Sequence, residues 1–357
     1  MTYRSEAQAL DAEIVGMMKR WHQTGEPLHD RAFDDLARRV FDHQLRYNQP
    51  YRRYCERLGV TSPRWWQEIP AVPAAAFKEA ALTTFNPERA ELIFETSGTT
   101  RGLPGRHYME NSATYDAALL AGFDRFVLSD GARLRYFNLV PDPAERANSS
   151  LGYMMARVAE LLGKDRTGWY VRGGELLIEE VITDLNAALS ENHPVCIAAT
   201  AFALVDLLDV METRNCKLAL PRGSRLMETG GFKGRARAVD RNELYARIRD
   251  RFAVPNDAIV SEYGMTELSS QYYAAGGGPY SAPPWLRTRV VGPERATVPN
   301  GATGALLHVD LANRSSCVAI QTEDLGIMTD DGLVLIGRDP DAAPRGCSLD
   351  AEELLRR

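Results

Sequence analysis

Residues 6–56 carry a helical pattern of apolar positions. Apolar side chains recur there every three or four residues, which is the spacing of one face of an α-helix. The positions that carry the pattern are Ala9, Ile14, Met17, Met18, Trp21, Phe33, Leu36, Val40 and Phe41. We therefore predict amphipathic helices over this stretch, ending before the proline-rich segment that contains Pro63, Pro70 and Pro73.

From about residue 90 the pattern changes to short apolar runs that alternate with helical segments. Such alternation is typical of an α/β fold with a largely parallel sheet. The predicted strands are 92–94, 136–140, 195–198 and 259–260, and the predicted helices are 154–162, 178–189, 202–211 and 244–252.

After Pro279 the helical segments give way to short apolar runs separated by turns, at 306–309, 318–320 and 333–336. These runs predict a small β-rich part of the chain. The predicted domains are a helical N-terminal region packed on the core (1–85), an α/β nucleotide- and acyl-binding core (86–285), and a β-rich subdomain with a hinge-like C-terminus (286–357).

Composition excludes several classes of protein. The chain has 357 residues, of which 45% are hydrophobic and 25% charged, which is ordinary for a globular protein with one large domain or two modest ones. A formal net charge of −6 lacks the basic footprint of a nucleic-acid binder, so we expect no nucleic-acid partner. Only five lysines accompany 37 arginines, which makes each lysine more noticeable.

The sequence shows no targeting or membrane signal. Its N-terminal residues contain acidic positions and no apolar signal core, and the longest apolar run, 194–205, is too short to span a bilayer. The five cysteines are scattered without a CxxC pair, and the six histidines show no metal-ligand spacing. We expect a soluble cytoplasmic protein without structural zinc or a disulfide framework.

The most informative segment is 94–106, where a predicted strand runs into a loop of Ser, Thr and Gly. Small residues let the backbone approach a polyphosphate, and successive N–H and hydroxyl groups can donate to its oxygens. Arg106 adds a cation at the far end of this loop. The Walker A pattern is absent, and an ordinary Ser/Thr/Gly surface turn is the alternative interpretation.

A second segment follows the predicted strand 259–260. Tyr263 at the strand end can cover a flat base, and Glu267 can hold a Mg²⁺ ion that bridges phosphates. The alternative is a strand-ending turn with a solvated Glu.

A third segment contains Asp324 and, beyond a predicted hairpin, Arg338. A carboxylate can accept hydrogen bonds from both hydroxyls of a ribose, and an arginine can bind a phosphate or the ribose. A hairpin that carries surface charges is the alternative.

Together and in this order, the three segments resemble the signatures of the adenylate-forming superfamily, which includes acyl-CoA synthetases, luciferases and adenylation domains. The resemblance implies an N-terminal core of mainly parallel sheets flanked by helices. Two departures stand out. Arg101 precedes Gly102 and Arg106 replaces the usual closing Lys of the loop, and Glu323 stands where most members have Gly.

The departures and the remaining chain resemble the LuxE family of acyl-protein synthetases, the activating component of bacterial fatty-acid reductase systems. The resemblance implies ATP and Mg²⁺ as cofactors, a fatty or other acyl chain as the carboxylic-acid substrate, and a reductase or carrier protein as acyl acceptor. The similar stretches are 41–55, 69–78, 149–154, 230–234 and 345–349.

The resemblance also implies a role for each matching residue in the nucleotide site. The residues expected at the ATP phosphates are Ser97, Gly98, Thr99, Thr100 and Arg106. The residues expected along the adenosine are Gly230, Gly231, Tyr263, Gly264 and Met265, with the Tyr263 ring stacked on the base.

The remaining roles concern the α-phosphate, the metal and the ribose. The resemblance implies that Thr266 contacts the α-phosphate, that Glu267 binds Mg²⁺, and that Asp324 binds the ribose. Arg338 is expected at the ribose or the phosphates. Lys233 lies in a Gly-rich loop, where it either assists at the phosphates or is simply solvated.

The expected reaction is ATP-dependent formation of acyl-AMP, followed by transfer of the acyl group to a protein thiol. Cys347 matches the position of the acyl-accepting Cys proposed for LuxE-like proteins, and its alternative is an ordinary small Cys in a turn. The C-terminal lid domain of larger superfamily members, with its catalytic Lys, is expected to be absent. A small acyl-CoA or aryl-CoA ligase and a catalytically inactive nucleotide-binding subunit of a partner enzyme are the other interpretations.

Overall fold

The computed structural model of the chain describes residues 2–96, 104–164, 166–230 and 240–338. The helices of these residues are α1 (Tyr3–Thr24), α2 (Asp30–Tyr47), α3 (Gln49–Arg57), α4 (Ala76–Glu79), α5 (Ala113–Phe126), α6 (Ser150–Leu162), α7 (Ile178–Ser190), α8 (Ala201–Thr213) and α9 (Arg241–Phe252). The strands are β1 (Val72–Pro73), β2 (Leu92–Glu95), β3 (Arg106–Met109), β4 (Arg135–Pro141), β5 (Gly168–Arg172), β6 (Glu175–Leu176), β7 (Val195–Thr200), β8 (Arg225–Thr229), β9 (Ile259–Tyr263), β10 (Tyr272–Ala275), β11 (Leu286–Val291), β12 (Thr303–Asp310), β13 (Ala319–Thr329) and β14 (Gly332–Arg338).

The helical start of the chain divides into α1, α2 and α3 because of local capping residues. The Thr2 hydroxyl accepts a hydrogen bond from the Ser5 N–H at the start of α1, and Gly25 ends that helix with a φ of 74°. Asn48 caps α3 by accepting from the Tyr51 N–H, and Pro50 follows in the first turn. The prediction of helices over 6–56 is confirmed.

The described chain forms two compact units. The first unit combines Met1–Ala121, Met265–Gln271 and Ser281–Arg357, and the second combines Gly122–Gly264 and Tyr272–Tyr280. The predicted domains, with boundaries at residues 85 and 285, are continuous stretches of sequence, and this division stays a prediction.

The first unit contains a five-stranded sheet in the order β1–β13–β12–β11, with β14 paired to the later part of β13. Strands β11 to β14 pair antiparallel, and β1 joins the start of β13 in parallel. A separate antiparallel hairpin is formed by β2 and β3. The prediction of a β-rich region after Pro279 is confirmed.

The second unit contains a seven-stranded sheet in the order β10–β9–β8–β7–β4–β5–β6. Its five central strands, β5, β4, β7, β8 and β9, are parallel, and β6 and β10 close the two edges antiparallel. Side chains of α7, α8 and α9 pack with β4, β7 and β8 in one apolar core that includes Leu185, Leu208 and Ile248. The predicted largely parallel α/β sheet is confirmed. Within the described ranges, no helix is long and apolar enough to cross a membrane.

Candidate active site

Strands β2 and β3 flank the predicted phosphate loop in the sequence, and residues 97–103 of this loop lie outside the described residues. Thr96 and Gly105 close the loop, because the Thr96 N–H donates to the Gly105 carbonyl and the Gly105 N–H donates to the Thr96 hydroxyl, both at 2.9 Å. Arg106 begins β3 opposite Glu95, and its Nε donates to the Glu95 carboxylate at 2.9 Å. The loop cation expected at the phosphates is therefore paired with a neighbouring carboxylate.

Several predicted site residues lie outside the described residues. They are Ser97, Gly98, Thr99, Thr100, Gly231, Lys233 and Cys347. Their roles stay predictions.

His107 links β3 to the segment that contains Thr266 and Glu267. Its ring is buried, and Nδ1 donates to the Thr266 carbonyl oxygen at 2.8 Å. Burial lowers the pKa of His107 to about 4, which keeps the ring neutral near pH 7. A neutral imidazole is the form that positions Thr266 without adding charge.

The turn after Thr266 is fixed by a buried polar cluster from the end of β12. The Asn313 side-chain amide donates to the Glu267 carbonyl at 2.9 Å. Asp310 accepts from the Ser269 N–H at 3.0 Å and from the Ser270 hydroxyl at 2.8 Å. The backbone on both sides of the Glu267 side chain is thereby held in one position.

The Glu267 carboxylate lies in a buried environment with nearby positive charge. Glu267 is 7% exposed, and burial raises its pKa to about 7, against the opposing effects of Lys78 and Arg338. No basic side chain of the described residues forms an ion pair with it. A divalent cation would restore the charged form, so this carboxylate fits a Mg²⁺ ligand.

Asp324 and Arg338 stand opposite each other on β13 and β14. The Arg338 Nε lies 3.9 Å from the Asp324 carboxylate, and its Nη1 lies 3.5 Å from Glu323. Asp324 is nearly buried whereas Arg338 is exposed, so the carboxylate has a fixed position and the guanidinium can move. The Asp and Arg of the third sequence segment are thus brought together.

Tyr263 and Gly230 belong to the second unit, at the carboxyl ends of β9 and β8. The Tyr263 ring is largely buried, with its centroid 5.5 Å from that of Tyr272 and 5.9 Å from that of Tyr280. Gly230 ends β8 with a φ of 70°, a conformation that favours glycine. The chain leaves this unit after Gly264, and Met265 begins the segment that contains Thr266.

Two buried carboxylates in the second unit were not predicted. Glu228 accepts from the Tyr245 hydroxyl at 3.2 Å, and burial raises its pKa. Glu262 accepts from the Thr229 hydroxyl, and burial raises its pKa to about 7. The signal that sequence reasoning missed is a charged residue inside an apolar strand, which is rare without a partner.

Comparison with solved structures places the fold among known enzymes. A 2-hydroxyisobutyryl-CoA ligase in the postadenylation state, in complex with R3-HIB-AMP, matches with a TM-score of 0.65 and 15% identity, over 87% of this chain and 67% of that one. The fold is therefore similar to the core of that adenylate-bound ligase.

Sequence comparison identifies the family. The model of the family described as acyl-protein synthetase, LuxE, matches residues 24–355. A long-chain-fatty-acid–luciferin-component ligase of Vibrio harveyi is 23% identical over 90% of this chain and 85% of its own length, and one of Aliivibrio fischeri is 24% identical over 87% and 81%. The chain belongs to the LuxE family of acyl-protein synthetases, which confirms the resemblance found in the sequence.

Proposed function

We propose that this enzyme activates a long-chain fatty acid with ATP and passes the acyl group through its own cysteine to a reductase partner. The observation that carries the proposal is the match to the LuxE family over 24–355, together with relatives named as long-chain-fatty-acid–luciferin-component ligases. The opposed pair Asp324 and Arg338 and the buried Glu267 support it, because they supply groups suited to a ribose, a phosphate and a metal ion.

The first step forms an acyl-adenylate. A carboxylate oxygen of the fatty acid attacks the α-phosphorus of ATP, and the bond from that phosphorus to the bridging oxygen of the β-phosphate breaks. The electron pair leaves with pyrophosphate, so the products are acyl-AMP and pyrophosphate. No protein nucleophile is needed, and the protein contributes positioning and charge neutralisation.

In this reaction the hydroxyl and glycine loop 97–100 and Arg106 bind the phosphates, and Thr266 binds the α-phosphate. Arg106 would have to leave Glu95 or share its charge with that carboxylate. His107 supports the role of Thr266 at the α-phosphate. Its ring donates to the Thr266 carbonyl at 2.8 Å and so fixes the backbone that carries the Thr266 hydroxyl.

Glu267 is the residue proposed to hold Mg²⁺, which would neutralise phosphate charge when bound. The described residues contain no group of three or more His, Cys, Asp or Glu that could hold a metal by itself. This pattern suits Mg²⁺, which usually binds one or two carboxylates together with substrate phosphates and water.

Asp324 is proposed to accept the ribose hydroxyls, and Arg338 to contact the ribose or a phosphate. For the adenine we propose stacking on Tyr263, with Gly230, Gly231, Gly264 and Met265 along the nucleoside. The buried position of Tyr263 against Tyr272 and Tyr280 leaves its ring with a fixed orientation. Lys233 is proposed to assist at the phosphates.

The second step transfers the acyl group to Cys347. The thiolate attacks the acyl-AMP carbonyl, a thioester forms, and AMP leaves. A partner reductase then receives the acyl group from this thioester.

The test measures acid-dependent exchange between ATP and pyrophosphate across a panel of carboxylic acids of different chain length, with and without Mg²⁺. Exchange that requires Mg²⁺ and is fastest with long-chain acids supports the proposal. No exchange with any acid, despite ATP binding, would favour an inactive nucleotide-binding subunit.

Labelled fatty acid then shows whether the acyl acceptor is a cysteine of the protein or free CoA. The label is expected to remain on the wild-type protein and on the matched control Cys216→Ser, and to be lost in Cys347→Ser with exchange intact. Release of acyl-CoA on addition of free CoA would instead favour an acyl-CoA ligase.

A further inference from the structure

Lys78 lies beside the closure of the predicted phosphate loop. A Cβ atom built on Gly105 would be 3.4 Å from Cγ of Lys78 and 3.3 Å from Cγ2 of Thr96. Thr96 and Gly105 are the two residues whose hydrogen bonds close the loop. The aliphatic part of the Lys78 side chain therefore packs on the base of this loop.

The backbone that carries Lys78 is anchored on two sides. Before α4, β1 pairs with β13, and the Ala74 N–H donates to the Gln321 carbonyl at 2.9 Å. Phe77 is buried, and its ring forms a T-shaped contact with the His107 ring, with centroids 5.6 Å apart. His107 also bonds to Thr266. The backbone of Lys78 is therefore held close to two predicted phosphate-binding segments, the loop after β2 and the segment that contains Thr266.

The charge around Lys78 distinguishes it from its neighbours. Arg106 is paired with Glu95, and Arg338 lies 3.5 Å from Glu323. Lys78 is exposed, and among the described residues no carboxylate forms an ion pair with it. Its positive charge does act on Glu267, where it opposes the rise in pKa caused by burial.

We propose that Lys78 contacts the β- and γ-phosphates of ATP and stabilises the pyrophosphate leaving group during acyl-AMP formation. This inference rests on the proposed function. When the bond from the α-phosphorus to the bridging oxygen breaks, the electron pair and its negative charge move to that oxygen. A lysine ammonium is a compact charge that can follow this oxygen and keep its own proton.

Lys78 therefore takes the place of the closing Lys that the loop lacks, from a different part of the chain. Gly105 leaves room for this arrangement, because a Cβ there would already be in close contact with Thr96 and would touch Lys78. A purely structural role, in which only the aliphatic part matters, makes different predictions.

The test compares Lys78→Met, Lys78→Gln and Lys78→Arg with the wild-type protein and with Lys19→Met, which removes an exposed lysine of α1. Lys78→Met keeps the aliphatic part and removes the charge. We expect ATP–pyrophosphate exchange to fall on the order of 100-fold in Lys78→Met and Lys78→Gln, with KM for pyrophosphate raised at least about 10-fold. Lys78→Arg is expected to recover part of the rate, and Lys19→Met to match the wild type.

A second measurement starts from synthetic acyl-AMP and follows labelling of the protein, a step in which no pyrophosphate leaves. The charge-removing variants are expected to label at the wild-type rate and to keep the wild-type melting temperature. Wild-type exchange in Lys78→Met, or equal losses in exchange, labelling and melting temperature, would overturn the assignment. Absence of exchange in the wild-type protein itself would overturn the proposed function, and this inference with it. If Lys78→Met fails to fold, Lys78→Gln decides between these outcomes.

Discussion

The side-chain amide of Gln44 donates a hydrogen bond to the carbonyl oxygen of Asn313 at 2.8 Å. The same amide nitrogen donates to the Arg314 carbonyl at 3.0 Å, and Oε1 accepts from the Val318 N–H at 2.9 Å. Gln44 is fully buried on α2. One side chain thus satisfies three backbone groups in the turn between β12 and β13, and the neighbouring side chain of Asn313 supports the Glu267 segment.

Replacing Gln44 with Leu is expected to reduce the free energy of unfolding by about 2–4 kcal/mol. The Arg314 carbonyl and the Val318 N–H lose their Gln44 partner, and the Asn313 carbonyl keeps only the Ser316 N–H. Urea denaturation measures the change. Gln8→Leu, at an exposed position of α1, is the matched control and is expected to change stability by less than about 0.5 kcal/mol. Equal effects of the two substitutions would refute the structural role of Gln44.

Arg314 is a second buried connection in the first unit. It is 2% exposed, it donates to both carboxylate oxygens of Asp11 at 2.7 Å, and it forms an ion pair with Glu110 at 2.9 Å. Arg314→Met leaves these carboxylates without their cation, so we expect a loss of about 3–5 kcal/mol in unfolding free energy. Arg39→Met breaks the exposed pair with Glu13 and is expected to cost less than about 1 kcal/mol. A loss below 1 kcal/mol for Arg314→Met would contradict this account.

His43 is expected to make stability depend on pH. Its ring is buried among Tyr3, Tyr47, Glu6 and the guanidinium groups of Arg46 and Arg314. Burial, followed by the charge of Arg314, lowers its pKa from 6.5 to about 4, although Glu6 opposes the shift. Between these values the unfolded chain binds a proton that the folded chain does not, so stability falls as pH decreases through this window.

The measurement is urea denaturation at pH 7.5 and pH 5.0. Between pH 7.5 and pH 5.0, the free energy of unfolding of His43→Leu should decrease by about 2 kcal/mol less than that of the wild type. Both proteins retain a further loss from His107 and His308, whose pKa values burial also lowers to about 4. Identical pH slopes for wild type and variant would show that His43 does not titrate as inferred.

Glu267→Gln tests the proposed metal ligand. The amide keeps the shape of the side chain but binds Mg²⁺ weakly, so exchange is expected to fall on the order of 100-fold, with a higher Mg²⁺ concentration needed for half-maximal rate. Glu323→Gln changes a nearby, more exposed carboxylate and should leave the Mg²⁺ requirement unchanged. An unaltered Mg²⁺ dependence in Glu267→Gln would remove it from the metal site.

Much of the fold was predictable from local pattern. Strand β7 was found because it is a short, continuous apolar run, and helix α8 because it is a longer apolar segment. Strands β1 and β3 were missed because each has few residues and depends on a distant partner or a hairpin closure. Strand β8 was also missed, since Arg225 and Glu228 interrupt its apolar run and are satisfied only by tertiary contacts.

The candidate site was predictable to a similar degree. The placement of Asp324 opposite Arg338 follows from a short turn between two apolar runs, which the sequence displays. The pairing of Arg106 with Glu95 depends on hairpin register, and the position of Lys78 depends on β1 joining a strand far along the chain. Long-range pairing of this kind has no local signature.

Because Val72 pairs in parallel with Ile320, the first unit cannot complete its sheet until most of the chain has been synthesised. Residues 1–121 leave the ribosome well before β13 exists, whereas the second unit is nearly continuous in sequence and has its parallel strands by residue 263. The second unit can therefore fold on the nascent chain while the first keeps an unpaired strand and open apolar helices. We expect ribosome-bound chains shorter than about 320 residues to bind chaperones through residues 1–121, whose partner strand β13 has not yet been made.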